Sequence, residues 1–153
     1  MIVKIRKILY TTDLSEHFEY TFQYALNSAE KHNARIDVLH VLKPKLVVPG
    51  MTIDEVNVAP DQMAEFVKKK IDDVLEKEIR YKPERARLVS SIEVIEGDPV
   101  DGILQKAREE KPDVIIMGKH SKGKLARALL GSVAMNVLRQ SGIPVYVIPI
   151  PGR

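Results

Sequence analysis

Between Met117 and Val133 the chain reads MGKHSKGKLARALLGSV, a stretch built from the residue types that hold phosphate: glycines, hydroxyls and bases. Gly118, Gly123 and Lys124 match G-x-x-x-x-G-K, a phosphate-binding loop whose next residue brings a hydroxyl to Mg²⁺. Here that residue is Leu125. Such hydrolases also need a later strand ending in an acid to hold the metal, and no Asp or Glu follows Asp113. The match is therefore read as coincidence. What survives is Gly118, which directly follows a predicted strand and lets a ligand approach the backbone closely. Gly131-Ser132 also survives, at the predicted start of the last helix, where free N–H groups and the helix dipole favour an anion. Ser132 adds a hydroxyl, and Lys119, Lys122 and Lys124 add positive charge.

Other chemistries find less support. A dinucleotide site needs G-x-G-x-x-G after the first strand, and TTDLSE has no glycine. A phosphoacceptor receiver needs an acid cluster for Mg²⁺, and only Asp13 stands at a suitable strand end. The four histidines, His17, His32, His40 and His120, show no metal-ligand spacing. His40 reads as a packed or hydrogen-bonded core residue, His17 and His32 as helix-surface residues, and His120 alone lies in the anion loop. No Ser/His/Asp ordering stands out.

The elements that must position these residues follow from periodicity. Five apolar, β-branched runs predict strands: 7–12, 35–41, 90–96, 113–117 and 144–150. Four helical patterns alternate with them. Ser15 is placed to cap a helix with Phe18, Phe22, Ala25, Leu26 and Ala29 inward. Met63, Phe66, Val67, Ile71, Val74, Leu75 and Ile79 form a second stripe. Asp98-Pro99 opens a third helix, with Val100, Ile103, Leu104 and Ala107 inward. A fourth starts near Ser132, carries Val133, Val137 and Leu138, and stops at Gly142. Strict alternation predicts an α/β fold, a doubly wound five-stranded parallel sheet; of the topologies that right-handed crossovers allow, strand order 3-2-1-4-5 is favoured. The ligand crevice then opens at the carboxyl ends of strands one and four, at Thr11-Thr12-Asp13 and Met117-Gly118. Residues 43–59 form a long, patternless connection near that crevice.

The 153 residues suit one domain spanning 1–153. There is no cysteine, hence no disulfide or thiolate metal site. No secretory leader or run of transmembrane length is present, and a cytoplasmic protein is expected. Charge is polarised. Residues 1–113 hold 18 bases and all 21 acids, while residues 114–153 hold six bases and no acid. With 5% aromatics and no Trp, the case for nucleic acid is weak.

Taken together, ILYTTDLSE, the His40-Val41 ending of strand two, EGDPVDGIL, and SVAMNVLRQSGIPVYVIP resemble the universal stress protein family over nearly the whole chain. Nucleotide-binding members carry G-x-x-G, nine residues, then G-S/T. That register gives Gly118 to Ser121, nine residues from Lys122 to Leu130, then Gly131-Ser132. The resemblance implies an ATP, ADP or AMP site, with or without Mg²⁺ or Mn²⁺, in a stress or signalling module without fast catalysis. Asp13 and Val41 would contact the adenosine end, with Met117 against the base. Gly118, Gly131, Ser132 and the Val133 amide would face ribose and phosphates, and Thr12, His120 and Ser121 complete the set. Ser121 stands where ATP binders have a second glycine, and a positive φ there would cost about 1–2 kcal/mol. Thr11 stands where many have proline. The alternative is a dimeric protein-interaction module of the same fold without nucleotide. A homodimer is expected through Val145 to Ile148, an edge strand apolar on both faces.

Overall fold

The computed structural model describes residues 2–43, 60–79, 82–119 and 131–150, without the side chains of 78 and 79. Strands β1 (Lys7–Thr12), β2 (Arg35–Leu42), β3 (Val89–Glu96), β4 (Val114–Gly118) and β5 (Val145–Ile148) form one parallel sheet in the order β3-β2-β1-β4-β5. Helices α1 (Phe18–His32), α2 (Pro60–Ile79), α3 (Pro99–Glu110) and α4 (Ser132–Gln140) connect them. A short 3₁₀ turn, Pro83–Arg87, precedes β3. The order is the one expected from the alternation of patterns.

Both faces of the sheet are buried, as crossover helices on both sides require. Alternate residues of β1 go to opposite faces. Ile8 and Tyr10 join Phe18, Phe22 and Leu26 of α1 and Val67 and Ile71 of α2. Leu9 joins Ile103, Leu104 and Ala107 of α3 and Ala134 and Val137 of α4. Asp98 caps α3 as expected, its Oδ1 accepting the Asp101 N–H at 3.0 Å.

Three expectations are corrected. Ser15 is not the cap of α1: the helix begins at Phe18 with His17 at the cap position, and no side chain caps it. Ser15 instead accepts the His17 N–H on its Oγ at 3.4 Å and the Phe18 N–H on its carbonyl at 3.1 Å. The delay has a cause. Residues 12–15 are already committed to a tight turn, described below, that is incompatible with helical backbone. Phe66 is half exposed rather than inward, and the Lys70 ammonium lies 5.3 Å from its ring centroid. Leu138 is likewise exposed, because Ala134 and Val137 are the α4 residues that face the sheet. In both helices the stripe that meets the sheet is narrower than the apolar pattern.

The 3₁₀ turn is fastened to α1 by a buried guanidinium. Arg85 donates from Nε to Glu30 Oε2 at 2.5 Å and from Nη2 to Asn27 Oδ1 at 2.7 Å. A planar fork reading two acceptors on one helix face is a task suited to arginine. The hydrogen bond from Arg85, aided by Lys82, holds the Glu30 carboxyl below its ordinary value of 4.5. A lowered carboxylate contributes its full stabilisation above the unfolded-state pKa and loses it as pH falls through the folded one. Glu30→Gln is therefore expected to melt below the parent at pH 7, with the deficit constant down to about pH 5 and shrinking below 4.5. Parallel thermal melts at stepped pH check this; a deficit that persists unchanged at pH 3 would assign the effect to packing.

Candidate functional site

The carboxyl end of β1 carries the first group of candidate residues. Parallel pairing sets Thr11 beside Met117 of β4 and Thr12 beside His40 of β2. His40 is buried, and its Nδ1 lies 2.7 Å from the Thr12 carbonyl. A carbonyl can only accept, so Nδ1 carries the proton in this contact. His40 thus has the hydrogen-bonded core role expected of it, and its partner is the backbone of the candidate site.

From Thr12 the chain turns sharply. Thr12 Oγ1 accepts the Leu14 N–H at 3.0 Å, and Asp13 Oδ1 accepts the Ser15 N–H at 3.0 Å. Leu14 sits between these bonds at φ 59°, in the left-handed region. For a leucine this backbone costs about 1–2 kcal/mol. The two side-chain acceptors and the packing of Leu14 against the core offset it. Backbone strain concentrates where a loop must aim a functional group, and here the turn leaves Asp13 exposed at the sheet's end.

The second group is apolar. Val41, Met117 and Val133 belong to one cluster, the first two buried and the third partly so. Gly102 of α3 packs against this group: a Cβ there would lie 3.0 Å from Val41 Cγ2 and 3.1 Å from Ile95 Cδ1. A side chain at 102 would require those two side chains to give way.

The third group is backbone. β4 ends at Gly118, and the Lys119 N–H continues the ladder to the Ile148 carbonyl at 2.7 Å. α4 begins at Ser132 with Gly131 at the cap position. Gly131 has no side chain to cap the helix, and its carbonyl accepts the Met135 N–H at 2.9 Å. The first N–H groups of a helix lack carbonyl partners in a preceding turn. Among the described residues no side chain caps this end and its first turn holds no acid, so its donors and dipole suit an external anion. Ser132 is exposed beside them, its carbonyl accepting from Asn136 Nδ2 at 2.8 Å.

Eight of the ten candidate residues are thus located: Thr12, Asp13, Val41, Met117, Gly118, Gly131, Ser132 and Val133. His120 and Ser121 lie outside the described residues, as does 44–59 of the long connection. Among the described residues no group of three His, Asp or Glu could hold a metal ion.

A supporting pair, Tyr10 and Thr21, went unmarked by sequence reasoning. Their hydroxyls lie 2.7 Å apart in the core, and Thr21 Oγ1 also donates toward the Phe18 carbonyl at 3.2 Å. Burial pushes the Tyr10 phenol up to about 12, while hydrogen bonds with Thr21 and Thr12 pull it the other way. The phenol therefore stays neutral. The only signal was a threonine inside the apolar stripe of α1, between Phe18 and Phe22.

The chain matches the family model described as Universal stress protein family over residues 4–149. It is 30% identical to universal stress protein MJ0577 of Methanocaldococcus jannaschii, covering 97% of each chain. A solved structure of the hypothetical protein MJ0577 superposes with a TM-score of 0.64 at 26% identity, covering 99% of this chain and all of that one. A crystal structure of a universal stress protein in complex with cAMP gives a TM-score of 0.68 at 21% identity, over 97% and 99% of the two chains. A universal stress protein from Archaeoglobus fulgidus in complex with dAMP gives 0.55 at 20%, over 96% and 99%. At these last two identities the likeness is one of fold.

Gly118 yields a direct test of how the site is supported. A Cβ there would lie 3.1 Å from Thr21 Cγ2, and the Thr21 hydroxyl is tethered to Tyr10. Gly118→Ala is expected to cost about 1–2 kcal/mol as overpacking. Thr21→Ser removes the offending methyl and keeps the hydroxyl, so the double variant should recover most of that loss. Urea denaturation of the four proteins measures the coupling; strictly additive losses would rule out this contact.

Proposed function

The chain belongs to the universal stress protein family, and from that premise we propose that its single domain, residues 1–153, binds an adenine nucleotide at the carboxyl ends of β1 and β4. The observation that carries the reading is the uncapped amino end of α4, presented by Gly131 and Ser132 beyond a strand that ends in glycine. In this reading the phosphates take the N–H groups of Ser132 and Val133 and the Ser132 hydroxyl. Asp13 accepts from donors at the adenosine end, and Val41 and Met117 give the base an apolar wall. Gly118 permits close approach, Thr12 holds the turn that aims Asp13, and His120 and Ser121 belong to the phosphate loop. The complexes of two family proteins with cAMP and dAMP support the ligand class. The choice of ATP within that class, with or without Mg²⁺ or Mn²⁺, rests on the spacing of Gly118 and Gly131. In this reading the module binds and signals in a cytoplasmic stress response rather than turning over substrate quickly, since among the described residues Asp13 is the one acid assigned to the site. Any hydrolysis would be slow.

Gly131 adopts φ −59° and ψ 152°, a backbone open to any residue. Gly131→Val should therefore keep the fold and block the phosphates. Calorimetric titration with ATP and with AMP is expected to show at least tenfold weaker binding in the variant at unchanged circular dichroism. Parental affinity in a folded variant would overturn the phosphate assignment. Failure of the parent to bind any adenine nucleotide would favour the empty interaction module.

The second part of the reading is a homodimer through β5. Among the described residues β5 is an edge strand, paired only with β4. Val145 and Val147 pack toward the α3–α4 face, Ile148 is buried toward the other, and Tyr146 is exposed. Pro149 cannot extend a ladder. Two such edges about a twofold axis would pair antiparallel and be self-complementary. Light scattering should report a dimer for the parent and a monomer for Val147→Lys. A monomeric parent, or a dimeric variant, would remove this interface.

A further inference from the structure

At the opposite end of the sheet the structure holds a second basic locus. The segment leading into β1, the last turn of α1 and the start of β2 enclose an open cleft of about 670 Å³. Lys4, Arg6, Lys31, His32 and Arg35 line it, and no acid and no Phe, Tyr or Trp does. This concentration is out of proportion to its surroundings. Residues 1–113 carry more acids than Lys and Arg, 21 against 18, yet four Lys and Arg side chains meet here beside His32 with no acid on the lining.

Each ordinary reason for a basic residue covers part of the set. Lys31 and His32 lie in the last turn of α1, where cations complement the helix dipole. That does not account for Lys4, Arg6 and Arg35, which come from other segments. Ion pairing does not account for them either. Among the described residues Lys4, Arg6, Lys31 and Arg35 join no ion pair, although Lys7, Lys77, Lys82, Arg85 and Lys106 all do. Of the nearby carboxylates, Glu30 holds Arg85 and Lys82 and Glu110 holds Lys7. Asp113 borders the cleft, where it accepts the backbone N–H groups of Arg6 and Lys7 at 2.8 and 3.0 Å without joining an ion pair among the described residues. The Arg35 guanidinium is oriented by its Nε donating to Ser90 Oγ at 3.1 Å, which leaves its outer edge for another partner.

From this geometry we infer a second ligand site: a cleft at the amino ends of β1 and β2 that binds a small, multiply phosphorylated anion by charge and guanidinium geometry. The volume falls in the range of ligand pockets, roughly 300–1,000 Å³. Two arginines and two lysines supply bidentate forks and point charges for several phosphate groups. His32 and Asn33 are the remaining polar side chains of the lining, so charge outweighs every other means of recognition there. The site selects for phosphate number. It lies the length of β1, about 20 Å, from the nucleotide crevice, and it stands on residues that the nucleotide reading does not use.

Inorganic tripolyphosphate, titrated into ¹⁵N-labelled protein, is the probe. The amides of residues 4–6 and 31–35 are expected to shift along one saturable isotherm, with orthophosphate at least tenfold weaker. Arg6→Ala combined with Lys31→Ala should weaken tripolyphosphate at least tenfold, and Lys4→Ala combined with Arg35→Gln should do the same by an independent route. Gly131→Val should leave these shifts in place, whatever it does to ATP. Shifts confined to residues 131–133, abolition by Gly131→Val, equal affinity for orthophosphate, or parental affinity in both double variants would overturn the site.

Discussion

The structure depends on β1 being paired along its length on both sides. Lys7 through Thr12 pair with Arg35 through His40 of β2, and Ile8 through Thr11 pair with Val114 through Met117 of β4. Ile8, Leu9 and Tyr10 have essentially no exposure on either face. A strand in that position cannot shift register without exposing both of its apolar faces and breaking two ladders. Each neighbour inherits its position from this one. α1 packs on the Ile8 and Tyr10 side, α3 and α4 on the Leu9 side. The candidate site lies where the chain, having wound outward to β3, must return to the other side of β1.

Support for the candidate site comes mainly from residues that would not touch a ligand. The Thr12 and Asp13 side chains hold a left-handed leucine, and His40 holds the Thr12 carbonyl. Tyr10 and Thr21 hold the wall under Gly118. Gly102 lets α3 settle onto Val41. This is the arrangement expected of a pre-organised site, in which functional groups sit on a frame fixed by its own packing and hydrogen bonds. It also divides the sheet's two ends by chemistry. The carboxyl end offers oriented backbone dipoles and the amino end offers side-chain charge.

Much of the fold was legible because it is written in local periodicity. The parallel sheet followed from strict alternation, with 3-2-1-4-5 favoured among the orders that right-handed crossovers allow; the α3 cap followed from Asp98-Pro99, and the candidate crevice from strand ends. The glycine spacing around Gly118 and Gly131 marked a candidate phosphate loop through family resemblance, and 120–130 of it lie outside the described residues. What was not legible depends on tertiary geometry. Ser15 has a capping residue type, but the turn before it postpones α1. Phe66 and Leu138 fit an apolar stripe, but a flat sheet meets only part of a cylinder. The positive φ of Leu14 has no signature in a leucine. The amino-end cleft was hidden because its bases come from residues 4–6 and 31–35, within a segment whose summed charge is negative. Charge counted along a chain cannot show which like charges the fold will place together.

The two edges of the sheet differ in chemistry, and this bears on how far any assembly could grow. β5 presents Val145, Tyr146, Val147 and Ile148. β3, at the other edge, carries Ser90, Ser91, Glu93 and Glu96, with Glu93 clamped by Lys106 of α3. Joining β5 of one molecule to β3 of the next would set an apolar rim against hydroxyls and carboxylates, and repetition of that step is what would build an open ribbon. If β5 pairs with its own copy as proposed, a twofold contact would close after a single addition. The polar residues of β3 would then leave the other edge poorly matched to β5, and the assembly would end at two molecules.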